Sequence, residues 1–105
     1  MRVVIDNAVH ASIVEFYEYA KRKYCTLDGR VVIRKMQRIY EGLEELGKYA
    51  FVCPNVRLRK EWLAQGYREC IIEDFHFAFE ICLDEGTGEY YVYVHDVCHS
   101  SLYRE

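Results

Sequence analysis

A chain of 105 residues, 51% hydrophobic and 15% aromatic with a single proline, is long enough to bury one core and unlike a disordered linker in composition. No run of about 18 uncharged apolar residues occurs, which excludes a membrane-spanning helix. The net charge of −3 conceals an asymmetry: residues 1–60 carry twelve Lys/Arg against seven Asp/Glu, and residues 61–105 carry two against ten. A polyanion bound to the C-terminal part would work against that field. The first residues reach Asp6 too soon for the apolar centre of a signal peptide. The expectation is one cytoplasmic domain over 1–105, with no membrane association.

Arg2 to Asp6 predict a short strand, with Asp6 or Asn7 capping a helix behind it. Over residues 8–24, Val9, Ile13, Phe16, Ala20 and Tyr24 recur at helical spacing as one apolar stripe. Glu18 and Arg22 form a favourable i,i+4 pair, and Lys21, Arg22 and Lys23 suit the helix C-terminus. Thr26-Leu27-Asp28-Gly29 interrupts the pattern, with Thr26 or Asp28 as the next cap. A second helix follows from about Gly29 to Leu46, carried by Val32, Met36, Ile39, Leu43 and Leu46, with Gly47 as its stop. A short link between helices of similar length predicts an antiparallel helical hairpin. Arg30, Arg34 and Arg38 stack on its polar side, where like charges at i,i+4 cost about 0.2–0.5 kcal/mol per pair. They either face Glu15 and Glu18 of the first helix or form a docking stripe for another chain.

Residues 48–66 are hardest to read: Pro54-Asn55 marks a turn, and Glu61-Trp62-Leu63 suits a turn of helix. Trp62, with Arg57, Arg59 and Lys60 nearby, is either a core plug or an interface hot spot. Tyr67 to Ile72 predict a strand. Phe75, Phe77, Phe79, Ile81 and Leu83 then alternate with His76, Ala78, Glu80 and Cys82, and Asp84 to Glu89 separate them from the β-rich run Tyr90 to His95. Period-two alternation around a Gly-containing break predicts an antiparallel hairpin with one buried face. Gly86 and Gly88 are the candidates for positive φ there. Gly86-Thr87-Gly88 joins two strands and has no helix to receive an anion, so it reads as a turn and not a phosphate loop. The fold class is α+β: an N-terminal strand, then a helical hairpin packed on an antiparallel sheet, with Val32, Met36, Ile39, Leu43, Phe77 and Phe79 in the core.

Cysteines 25, 53, 70, 82 and 98 are odd in number and lack any Cys-x-x-Cys pair. They read as reduced, mostly buried thiols, with neither metal nor cofactor expected. Strict alternation places His95 and His99 in phase with Tyr91 and Tyr93; whether His76 joins them depends on sheet register.

The order of elements resembles the RelE/ParE superfamily of small bacterial toxins over nearly the whole chain. The resemblance rests on Phe16-Tyr17-Glu18-Tyr19-Ala20 in the first helix, and on Gly66-Tyr67-Arg68-Glu69 leading into the sheet. It continues in Asp74-Phe75-His76-Phe77-Ala78-Phe79-Glu80 and in Val92-Tyr93-Val94-His95-Asp96-Val97-Cys98-His99, with Tyr103 beyond. Members that cut messenger RNA on the ribosome carry an arginine after the aromatic of the third-strand motif, and more basic residues after the last strand. Here those positions hold His76 and Ser100-Ser101. By resemblance, a nuclease would rest on His99, His76 and Tyr103 for proton transfer and on Arg68 as phosphate partner. The ParE-like branch acts by binding a protein, DNA gyrase, and is held by a separate antitoxin. The resemblance thus implies a toxin of a toxin–antitoxin pair acting by contact, with Arg30, Arg34, Arg38 and Trp62 as partner-binding candidates. A ribosome-dependent endoribonuclease, or a decayed member that only binds its antitoxin, are the alternatives.

Overall fold

The computed structural model describes residues 1–24 and 26–103. Strand β1 (Arg2–Ile5) leads into helix α1 (Asn7–Lys23), and α2 (Gly29–Tyr49) ends in a 3-10 turn over Ala50–Val52. A short helix α3 (Lys60–Gln65) precedes β2 (Arg68–Ile72), β3 (Phe75–Asp84) and β4 (Glu89–His99), and a second 3-10 turn covers Ser100–Leu102. Asp6 and Asp28 cap α1 and α2 by accepting from the backbone N–H of Ala8 and Arg30, each at 2.8 Å. The second cap is therefore Asp28 and not Thr26. In the β3–β4 turn only Gly88 adopts positive φ, at 73°, and Gly66 ends α3 at 72°.

The four strands lie in the order β1-β4-β3-β2. Strands β2, β3 and β4 form the expected antiparallel meander, but β1 pairs with β4 in parallel, Val3 opposite Val92 and Ile5 opposite Val94. The sheet is therefore mixed and not antiparallel throughout. Three helices separate β1 from the meander, and a crossover of that length returns the chain in parallel where a hairpin cannot.

Helix α2 runs past its expected stop. Gly47 is a buried helical residue where β1 comes close, since a Cβ there would collide with the carbonyl oxygen of Met1. The Met1 ammonium donates to the Gly47 carbonyl at 3.1 Å. On α1 the buried positions are Val9, Ile13 and Tyr17, while Tyr24, expected in the stripe, is exposed. Val32, Ile39, Leu43, Phe77 and Phe79 are buried as expected, and Met36 packs half-buried against them. Full burial of each such side chain contributes roughly 1.5–3 kcal/mol.

A bulge in β4 sets what each face of the sheet presents. Ala78 pairs with Asp96 and Phe79 with Val94, leaving His95 as the extra residue. Before the bulge Val92 and Val94 share the helix-covered face with Phe79; after it Val97 and His99 share that face with Phe77 and Phe75. Tyr93, His95, Asp96 and Cys98 belong to the opposite face. There a second, smaller core of Val56, Trp62, Ala78 and Cys98 forms beneath α3, with Tyr67 and Tyr103 against it.

Candidate functional site

Among the described residues, the second face gathers most of the mutually bonded polar side chains, and β-sheet register puts them there. Glu69 on β2 pairs with Ala78, and Ile71 with His76, so Glu69 and His76 are diagonal neighbours on one face. The Glu69 carboxylate accepts from His76 Nδ1 at 2.6 Å and from the Tyr103 hydroxyl at 2.8 Å. The Tyr103 ring stacks on the His76 imidazole, centroids 3.8 Å apart and 9° from parallel. The Glu69 and His76 side chains are each only 13% exposed. Burial, then the Glu69 hydrogen bond and the repulsion of its charge, push the Tyr103 phenol up to about 12. The bond from Nδ1 leaves Nε2 as the acceptor nitrogen of a neutral His76 ring.

Next to this group, Trp62 Nε1 donates to Asp96 Oδ2 at 2.8 Å, and Arg59 lies over the indole at 4.9 Å while donating from Nη1 to Cys98 Sγ at 2.8 Å. A second histidine–carboxylate pair sits farther along the same face, His95 Nε2 to Glu80 at 2.9 Å, with the His95 ring stacked on Tyr67. Tyr93 beside it donates to Asp6 Oδ2 at 2.8 Å. That hydroxyl and the Ala8 N–H hold the Asp6 carboxyl below the usual range, the backbone bond contributing most.

The four residues expected to form a nuclease set do not converge. His76 and Tyr103 meet, with Glu69 bridging them. His99 lies on the helix-covered face, stacked on Phe16 at 4.3 Å and edge-on to Phe75. The expected phase of His95 with His99 is lost because the bulge lies between them. Arg68 pairs with Phe79, four residues along β3 from Phe75, the partner of His99, or about 13 Å at ~3.3 Å per residue. Its guanidinium donates to the carbonyls of Phe51 at 3.1 Å and Cys53 at 2.8 Å.

The residues expected to bind a partner also separate. Trp62 is 2% exposed and takes the core-plug role, not the interface one. Arg30 pairs with the Asp28 of its own cap at 3.3 Å. Arg34 and Arg38 are exposed and have no ion pair among the described residues, so pairing with Glu15 or Glu18 is not what holds them. Among the described cysteines, Cys53, Cys70 and Cys98 are buried and Cys82 half-buried; Cys25 lies outside the described residues. No group of three His, Cys, Asp or Glu among the described residues can hold a metal ion, and no described helix is long and apolar enough to cross a membrane.

Glu69, Asp96 and Tyr67 are the site residues that sequence reasoning did not single out. Glu69 and His76 are seven positions apart in the chain, and only the β2–β3 register brings them together. No protein-family model matches this chain, and no curated protein matches it.

Proposed function

We propose that this chain is a binding module of the toxin-like kind, one half of a cytoplasmic toxin–antitoxin pair that acts on a protein target by contact and not by cutting RNA. The observation that carries this reading is the engagement of every candidate catalytic group. Arg68 caps the carbonyls of Phe51 and Cys53, His76 and Tyr103 are tied to one carboxylate, and His99 lies across the sheet from them. Cleavage through a ribose hydroxyl requires a proton acceptor, a proton donor and a cation at the phosphate in one place. The acidic balance of residues 61–105 adds repulsion of the RNA itself.

For a partner, Arg34 and Arg38 offer an exposed cationic row on α2, suited to a small protein with an acidic tail, the cognate antitoxin. DNA gyrase is the target that the ParE-like reading names. Induced expression in a bacterial host tests the proposal: growth arrest with filamentation and intact transcripts is expected, relieved by the neighbouring reading frame. Transcripts cut on ribosomes, with His76→Ala or Tyr103→Phe abolishing the cuts, would replace this reading with the endoribonuclease. Antitoxin binding with no effect on growth would identify a decayed member.

A further inference from the structure

The segment between the first 3-10 turn and α3 runs along the outer edge of β2. Asn55 stands opposite Arg68 in an antiparallel bridge. The Glu69 N–H donates to the Pro54 carbonyl at 3.0 Å, and the Val56 N–H to the Tyr67 carbonyl at 2.9 Å. Bonds that flank the pair on both sides make Asn55 and Arg68 a non-hydrogen-bonded pair. Pro54 then faces Glu69, and the same register carried one residue further sets Cys53 opposite Cys70. Cys53 is extended, at φ −70° and ψ 140°, so the chain has not yet turned away from β2. Arg68 holds this end of the segment through the carbonyls of Phe51 and Cys53, at 3.1 and 2.8 Å.

Pairs two positions apart along a ladder are of the same kind. Cys53 and Cys70 therefore fall where non-hydrogen-bonded partners keep Cα atoms ~4.5 Å apart and side chains on one face. A disulfide needs a Cα separation of ~4.4–6.8 Å with the two Cβ atoms turned towards each other. Both side chains lie in the main core, 7% and 8% exposed, and both are free thiols. A second sign of closeness is electrostatic: after burial, repulsion from a Cys53 thiolate is the next cause that pushes the Cys70 thiol up. Cys53 Sγ donates to the Tyr49 carbonyl at 3.7 Å, a weak bond that is given up at little cost. In the β3–β4 register Cys82 faces Tyr91 and Cys98 faces His76, so neither has a cysteine opposite it on that strand.

We propose that Cys53 and Cys70 are a redox-modified pair that closes into an intramolecular disulfide when a low-molecular-mass disulfide, oxidised glutathione, is in excess. One cysteine thiolate attacks a sulfur of the oxidant, forms a mixed disulfide and releases one glutathione thiol. The second cysteine then attacks the protein sulfur of that mixed disulfide and releases the other. Two protein thiols are thereby oxidised by two electrons, one glutathione disulfide is reduced, and the two thiol protons end on glutathione. The thiolate is the attacking form, and burial holds both thiols above their ordinary range, so closure is slow. The bond closes the loop 53–70, which contains all of α3, and so ties down the segment above the second core. The site does not rest on the partner reading and is tested apart from it.

Equilibration in glutathione buffers from fully reduced to fully oxidised, followed by acid trapping, alkylation and peptide mass spectrometry, reads the pairing. Under native conditions the main product should be the Cys53–Cys70 cross-link, with the intact protein lighter by two hydrogens. The oxidised form should melt higher by roughly 5 °C or more, because the closed loop restricts the unfolded chain. Cys70→Ser should abolish both the cross-link and the shift, whereas Cys82→Ser should leave both unchanged. Another pairing as the main native product, or mixed disulfides with glutathione alone, overturns the proposal. So does a Cys53–Cys70 yield no higher under native conditions than in denaturing urea, or an oxidised form that melts no higher than the reduced one. Should Cys70→Ser fail to fold, the cross-link map of the unsubstituted protein, native against urea, decides by itself.

Discussion

Replacing Glu69 by glutamine removes one charge from beneath α3 while leaving the chain path intact. In the native protein the carboxylate accepts from His76 at 2.6 Å and Tyr103 at 2.8 Å, with Glu69 and His76 largely withdrawn from water. A hydrogen bond to a charged acceptor contributes ~1.5–3 kcal/mol net, and glutamine keeps one oxygen that can still accept. The expected loss is about 2 kcal/mol, which lowers Tm by roughly 8–16 °C in a domain of this size. The Tyr103 phenol supplies an independent readout, since it is pushed up to about 12 from an ordinary value of 10.0. A raised tyrosine stabilises the native state fully below pH 10, where the unfolded phenol still keeps its proton. That contribution declines as the pH climbs from 10 towards 12, and the protein becomes less stable over that range. Burial is the largest cause, so Glu69→Gln should lower the Tyr103 titration only in part. Ten tyrosines are present, and the ultraviolet difference between each protein and its Tyr103→Phe counterpart isolates the one of interest. Urea melts at neutral pH give the stability change. A loss under about 0.5 kcal/mol together with an unchanged Tyr103 titration would refute the network.

Three further outcomes are expected. Gly47→Ala should destabilise by about 1–3 kcal/mol because the new methyl meets the Met1 backbone, whereas Gly42→Ala, whose Cβ would stand 2.6 Å from the movable Ile72 Cγ2, should cost less; equal gains in both, as helix propensity alone demands, would contradict the packing. Burial pushes the Cys70 thiol up to about 12, and alkylation followed by peptide mass spectrometry should find it modified later than the half-buried Cys82. Arg34→Glu with Arg38→Glu should leave the melting temperature within the spread of surface substitutions, about 0.5 kcal/mol, while weakening and flattening the salt dependence of the proposed antitoxin complex in a titration across ionic strengths.

The apolar stripes made both long helices and the β3–β4 hairpin legible, because burial of one face writes its period into the chain. Where the reading failed, a local rule met a tertiary one. Gly47 resembles a helix stop, yet its lack of a side chain serves a close approach by residue 1, a partner 46 positions away. The parallel pairing of β1 was not read, since its partner is the last strand in the sequence. The bulge did leave a trace: the apolar positions of β4 run Val92 and Val94, then change parity to Val97. Strict alternation passed over that change and put His99 with His95. Glu69 was beyond reach for a different reason, since its role follows from a register between β2 and β3 that pattern does not specify.

On the face that carries the histidine–carboxylate pairs, rearrangement breaks hydrogen bonds that are now made. To act as a base on a ligand, His76 must present Nε2 from under the Tyr103 ring while keeping its bond to Glu69. To act as an acid, Tyr103 must leave Glu69 and give up a proton that burial and charge both hold in place. Either step exposes or unpairs a group that is now satisfied, so a substrate would have to favour the opened state by the same amount. Arg68 would in addition have to abandon two carbonyls, which then lose their donor. Docking on Arg34 and Arg38 asks for none of this, because both side chains already project into solvent without an ion pair among the described residues. That difference in reorganisation is the physical ground for preferring contact over cleavage.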